Sequence, residues 1–333
     1  MFLVLAGVAC DAHGQCGRQW LPGYPEAGVG GPVECLGSWD PDGAGTMTKR
    51  LVIAGSFPVA GSVFSRSIAL FDPVTGSWSG LGGGVSGDVR CLATMPNGNL
   101  AVGGNFTAAG GQPASGLAEW NGSSWSVIAS PFASTSGIAV LPNGLLAATD
   151  GTGGLAFWNG ATWAFDTPPG ATTITRLLVA ANGDLLVGTT AGVHRRSGLG
   201  WTSLGNPGSV LDLLEMPNGN VIAAGSFVGQ VALFNGSGWA TLGSYLSPGS
   251  AFVSSIVLQP NGRLLIAGSF SGSGSTWLSD LAELNGGQWT GPGAWSGARS
   301  LLVWDNGEVY VGGQFGPPGP FNNIGASGSR VGS

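Results

Sequence analysis

The chain has 333 residues, of which 63 are glycine and only 8% are Asp, Glu, Lys or Arg, and its formal net charge is −6. That balance argues against a nucleic-acid partner, which asks for a basic surface, and no apolar run reaches the ~18–20 residues of a membrane-spanning helix. With 43% hydrophobic residues, 13 Trp and 14 Phe, the chain has a core to bury, so its glycines read as turns between short strands rather than as disorder.

At the N-terminus, residues 2–9 form a short apolar stretch with no Lys or Arg before it, followed by Ala12-His13-Gly14. This predicts a signal peptide over residues 1–15, truncated at its start; an extra buried strand is the other reading. Residues 16–333 then form one domain. Gly17-Arg18-Gln19-Trp20 reads as an outer strand that lacks the strands normally preceding it.

From there the chain repeats. Asp-Gly or Asn-Gly turns fall at Asp42-Gly43, Asn97-Gly98, Asn143-Gly144, Asn182-Gly183, Asn218-Gly219, Asn261-Gly262 and Asn306-Gly307, spaced 36–55 residues apart. Such a dipeptide between apolar runs is the strongest local hairpin signal, because both turn positions need positive φ. A second anchor, a tryptophan just after another turn, occurs at Trp20, Trp78, Trp125, Trp163, Trp201, Trp239 and Trp289. Each repeat reads as four strands, a to d, in the size class of propeller blades. Blade two is the cleanest: strand a over Val89–Met95, strand b from Leu100 to Phe106, strand c at Leu117–Trp120 and strand d around Trp125. The last repeat has no terminal tryptophan, so Gly17–Trp20 is expected to complete it and remove the open sheet edge. The expectation is an all-β, seven-bladed β-propeller of four-stranded antiparallel blades, closed by the N-terminal strand.

Three motifs carry a family resemblance. Leu70-Phe71-Asp72-Pro73-Val74-Thr75-Gly76-Ser77-Trp78, with the double glycines Gly103-Gly104 and Gly312-Gly313, resembles a kelch repeat. Leu141-Pro142-Asn143-Gly144 and Met216-Pro217-Asn218-Gly219, with Gly-Ser-Phe at 55–57, 225–227 and 268–270, resemble the repeats of secreted bacterial β-propeller proteins. Cys16–Trp20 and Trp39-Asp40-Pro41-Asp42-Gly43 resemble the start of that family. The resemblance covers residues 16–327 and implies the fold and export to the periplasm, cell surface or medium; it implies no activity. Repeats three and four lack the Gly-x-Phe ending, and repeat four has Val193-His194-Arg195-Arg196 as strand c.

The side chains for common chemistries are sparse. Cys35 and Cys91 match in position on neighbouring inner strands and read as core thiols; Cys16 and Cys35 permit a disulfide; and the four cysteines lack zinc spacing. A nucleophile–histidine arrangement would need His194, which falls mid-strand away from the channel. The acids are scattered, many in turns, so paired carboxylates for glycoside cleavage are not evident. No enzyme and no cofactor are expected. Asp40 and Asp42 offer a weak calcium loop, although their place is that of every blade's a–b turn.

Strand direction puts the short, uniform a–b and c–d turns on one face and the variable d–a and b–c loops on the other. Function tends to sit on variable loops held by a rigid scaffold. The b–c loops are long in blades one, two, six and seven. Tyr24, Phe64, Phe132, Tyr245, Trp277 and Trp295 decorate this face, where aromatic rings suit stacking on sugars or docking of a protein; local loop packing is the plainer role. Glu34, Arg90, Ser136, Thr175, Leu211, Ser254 and Arg299 stand at the rim of the central channel. One residue deeper, Arg176 and Asp212 form an ion pair or the polar floor of a pocket. The sequence thus predicts an exported, monomeric, non-enzymatic protein that binds a carbohydrate or a protein. The other readings are a structural envelope protein and, less favoured, a hydrolase or lyase at the channel mouth.

Overall fold

The structure is a computed structural model. It describes residues 28–315 apart from 44, 172, 199, 247–250, 274–275 and 292–296, together with the backbone of five terminal strands. Six four-stranded antiparallel blades follow one another along the chain. Their inner and outer strands are Val33–Trp39 and Trp78–Gly80, Val85–Thr94 and Trp125–Val127, Gly137–Val140 and Trp163–Phe165, Ile174–Val179 and Gly200–Gly205, Ser209–Glu215 and Trp239–Thr241, and Phe252–Leu258 and Gln288–Thr290. In blade two the inner pair is longer than its apolar run suggests. It continues past a bulge to the pairing of Val85 with Ala109.

The blade count is therefore six, not seven. The last sheet is of another kind: Ala298–Val303 pairs antiparallel with Val309–Gly313, which pairs with Ile324–Gly328. Leu3–Ala6 then joins Ile324–Gly328 in parallel, and Leu21–Pro22 pairs with Leu3–Ala6. This is a five-stranded mixed sheet rather than a repeat blade. The closing strand also differs from expectation. Gly17 and Arg18 pair with Ala9 and Val8 in a separate two-stranded sheet, while Trp20 lies outside the described residues. The physical reason is that the edge of Ile324–Gly328 is taken by a parallel strand, Leu3–Ala6, in the place where a regular blade has its antiparallel outer strand.

The repeat motifs turn out to be contacts between blades. The asparagine carbonyl of each a–b turn accepts a backbone N–H two residues on, as from Asn99 to Asn97 and from Leu145 to Asn143. In three blades the outer-strand tryptophan donates its indole N–H to a backbone carbonyl of the preceding blade: Trp125 to Leu81 at 2.6 Å, Trp163 to Ala129 at 2.6 Å and Trp239 to Leu204 at 2.8 Å. Trp201 uses the Asp166 carboxylate instead, at 2.7 Å. Between the blades lie apolar clusters, the first joining Val52, Ala54 and Ile68 of blade one to Val89, Val102 and Trp120 of blade two.

The glycine that ends the second strand has a specific cause. A Cβ on Gly55, Gly104, Gly225, Gly268 or Gly313 would collide with the carbonyl oxygen of Pro32, Asp88, Ser209, Phe252 or Gly297 respectively. Each of these carbonyls lies just before the bulge of the inner strand. The glycine is thus required by close backbone approach rather than by an unusual φ. Blade four has no such glycine and holds the buried Thr189 there, whose hydroxyl donates to the Gly192 carbonyl and closes a tight b–c turn.

Candidate functional site

Five of the six regular inner strands and that of the closing sheet carry a bulge in the same place, whereas the inner strand of blade three pairs in unbroken register. Register shifts fall at Glu34, Arg90, Thr175, Leu211, Ser254 and Arg299. These are the residues the sequence assigns to the channel rim, together with Ser136 of blade three. A bulge leaves one residue unpaired and re-aims its side chain. Two rim hydroxyls turn back onto their own blade, Ser136 donating to the Thr149 carbonyl and Thr175 to Gly188, while Ser254 donates across to the Arg299 carbonyl of the next sheet at 2.8 Å, with Ala267 of its own blade at 3.3 Å. Glu34 and Arg299 pair with each other at 2.7 Å.

One residue deeper, Arg176 pairs with Asp212 at 2.7 Å. Asp212 is 4% exposed and also accepts the N–H groups of Leu213 at 2.9 Å and Ile256 at 2.8 Å. Burial pushes its carboxyl above the ordinary carboxylate value, although Arg176 and these N–H groups oppose the shift. Of the two readings of this pair, the structure shows an ion pair. Ser255 and Ser300 occupy the same layer and accept the N–H groups of Leu301 and Leu36.

The predicted rim is thus largely committed to holding inner strands together, with Arg90 exposed and without an ion-pair partner among the described residues. The same holds for several other expectations. Phe132 packs edge-on against Phe165 at 5.9 Å and joins the core between blades two and three. Asp42 caps its own turn, its Oδ2 accepting the Met47 N–H at 3.0 Å; Asp40 stands beside it. Among the described residues, no three His, Cys, Asp or Glu side chains gather as a metal site would require. Cys35 and Cys91 are free thiols, so the disulfide from Cys16 to Cys35 is not formed. Burial drives both thiols up, Cys91 to about 12. His194 pairs within the third strand of blade four, opposite Val187 and Ser203. Tyr24, Trp295 and the side chain of Trp277 lie outside the described residues. Phe64 and Tyr245 are 61% and 60% exposed.

What the sequence does not point to is a cleft of about 440 Å³ on the variable face, between blades one and two. One wall is the b–c loop of blade one, with Ser56, Phe57 and Arg66; the other is the start of the inner strand of blade two, with Ser86 and Asp88. The walls are joined by backbone, since Val85 donates to the Arg66 carbonyl at 3.1 Å. The Arg66 guanidinium lies 5.5 Å over the Phe64 ring. Neither Arg66 nor Asp88 makes an ion pair among the described residues. The cleft therefore presents a donor fork, a carboxylate and hydroxyls, with the exposed Phe64 ring beside it under Arg66, whereas the channel rim presents mostly charges that already have partners. A sequence signal existed in Ser65-Arg66-Ser67, a cation inside an otherwise apolar loop, but only packing sets it opposite Asp88.

The comparisons agree with this architecture. Residues 259–285, from the a–b turn of blade six to its third strand, match a family model described as a domain of unknown function (DUF5122) beta-propeller. No curated protein matches the chain. Among solved structures, virginiamycin B lyase from Staphylococcus aureus is similar at TM-score 0.63 and 11% identity, covering 86% of this chain and 94% of that one. A streptogramin B lyase gives 0.59 and 10%, covering 85% and 90%. The extracellular domain of a proposed one component system from B. thetaiotaomicron gives 0.61 and 12%, covering 92% of this chain and 40% of that one. At such identities the likeness is one of fold. Among the described residues no helix is long and apolar enough to cross a membrane. The chain is a β-propeller repeat protein.

Proposed function

We propose that the chain is an exported, monomeric, non-enzymatic binding protein that holds a carbohydrate or a protein partner on its variable-loop face. One observation carries the reading: both faces have clefts, but on the a–b and c–d face clefts of about 460 and 290 Å³ hold Arg195 and Arg263 already paired with Asp184 and Glu283. On the a–b and c–d face the turn asparagines are satisfied by their own backbone. On the other face a cleft holds Arg66 and Asp88 without ion-pair partners, beside an exposed Phe64, and Tyr245 stands exposed on the same face. Preformed concavities with a few polar groups are the usual form of binding sites.

A glycan-array screen of the purified protein, with and without calcium and beside Phe64→Ala and Tyr245→Ala, tests the reading. Hits that weaken in the variants support carbohydrate binding, and calcium dependence would give Asp40 and Asp42 a role. A blank array from folded protein moves the proposal to a protein partner. If pull-downs from the cell surface fraction then give no partner that Phe64→Ala or Tyr245→Ala releases, the structural-envelope reading replaces it.

A further inference from the structure

We infer that the cleft between blades one and two is the sugar subsite of this face, and that it takes a neutral hexose unit by a pair of neighbouring hydroxyls. The inference rests on the carbohydrate reading above and names its site and ligand class. The cleft has the volume of a small-ligand site, within the usual range of roughly 300–1,000 Å³. Asp88 is half-buried in one wall and accepts hydrogen bonds only, so it fits two hydroxyl donors on adjacent carbons. Arg66 in the opposite wall donates only, so it fits the oxygens of the same hydroxyls or of the ring. Charge-assisted bonds of this kind are the stronger ones. The Phe64 ring, 61% exposed beneath Arg66, lies beside the cleft rather than in its lining and is available to the C–H side of a sugar that extends past the lip. Ser56 and Ser86, both exposed at the lip, supply groups that donate or accept.

The carboxylate also sets what is excluded. An acidic sugar would bring a second carboxylate toward Asp88 that Arg66, already engaged by the hydroxyls, compensates only in part, and like charges disfavour one another at close range. The backbone that frames the cleft is fixed: Ser67 holds a positive φ of 63°, is buried, and donates its N–H to the Phe57 carbonyl at 2.7 Å. The two walls are therefore preorganised, which reduces the entropy lost on binding.

The test is isothermal titration of the full chain with mannotriose, galactotriose, cellotriose and the acidic trigalacturonate. At least one neutral trisaccharide is expected to bind and trigalacturonate to bind at least tenfold more weakly than it. Asp88→Asn and Arg66→Gln should each weaken the neutral sugar at least tenfold, and Phe64→Ala should do so by a similar factor. Arg263→Gln, on the opposite face, should leave binding unchanged. Near-ultraviolet circular dichroism confirms that each variant is folded. If a trisaccharide binds but Asp88→Asn and Arg66→Gln leave its affinity intact, the cleft is not the subsite, while the face-level reading stands. Tighter binding of trigalacturonate overturns the neutral-sugar assignment. If the folded wild-type chain binds none of the four and the glycan array is blank, the carbohydrate reading fails and this subsite with it.

Discussion

Two arcs of the ring solve the same problem differently. Except in blade three, each inner strand has a bulge, and just beyond it an amide turns away from its own blade. From blade five to the closing sheet and on to blade one, a side-chain oxygen of the preceding sheet accepts that N–H: Asp212 from Ile256, Ser255 from Leu301 and Ser300 from Leu36. From blade one to blade three the same layer holds Cys35, Cys91 and Gly137. A thiol is a weak acceptor, and the Cys91 Sγ reaches only the Thr135 carbonyl at 3.9 Å. There the seam is apolar, with Cys35 against the cluster that includes Val89 and Trp120, and Cys91 against the next. Position in the repeat fixes where a link between blades is needed, and residue identity decides whether it is polar or apolar. The unstapled arc is also the one that carries the open cleft.

Removing the strongest staple is the severest way to break this comparison. Asp212→Ala leaves the buried Ile256 N–H and the Arg176 guanidinium without their acceptor, and a loss of about 2–3 kcal/mol in unfolding free energy is expected. Denaturant unfolding at neutral pH measures it, and a loss under 1 kcal/mol would mean that the staple is dispensable. Ser255→Ala and Ser300→Ala should each cost about 1 kcal/mol. The outer latch offers a parallel case: Trp239→Phe keeps most of the ring but deletes the bond to Leu204, with an expected cost of about 1 kcal/mol.

Converting one arc into the other sharpens the comparison from the opposite side. Cys35→Ser places a good acceptor where the Leu92 N–H is expected to turn, by its equivalence to Leu36, and should stabilise by about 0.5–1 kcal/mol. A loss larger than 1 kcal/mol would show that the thiol serves chiefly as packing volume.

The smallest effects concern acid. Burial alone would raise the Asp72 carboxyl, but the Val74 and Thr75 N–H groups and the Arg50 guanidinium more than offset it and hold it below the ordinary value. Asp150 is lowered in the same way, burial being outweighed by Thr152 and Gly154. Both therefore contribute stability that is full above the unfolded value of about 3.9 and is lost as pH falls through their lower folded values. Asp212, raised by burial, works in the other direction: its contribution is full below about 3.9 and is lost as pH rises through its folded value. Unfolding curves from pH 2 to 6 should be flatter on the acid side for Asp72→Asn with Asp150→Asn, and should rise more steeply with pH for Asp212→Asn.

The sequence by itself determined the repeat. Asn-Gly turns require positive φ, outer-strand tryptophans need an apolar bed and a polar partner for the indole, and apolar second strands demand cover on both faces. It also placed Glu34, Arg90 and Arg299 at one level of the inner strands, because each interrupts an apolar strand seven or eight residues before its turn. Tertiary structure alone decided the rest. How the ring closes depends on the edge of Ile324–Gly328, which a parallel strand takes in place of an antiparallel outer one, so six regular blades and a mixed sheet replace the seven that the repeat count implies. Whether a charge is engaged depends on a neighbour far away in sequence. Arg299 finds Glu34, and Arg176 finds Asp212 on the next blade, whereas Arg66 and Asp88 face a cleft without such a partner. Local propensity is written in a few adjacent residues; pairing across blades is set by register and packing, which no short segment contains.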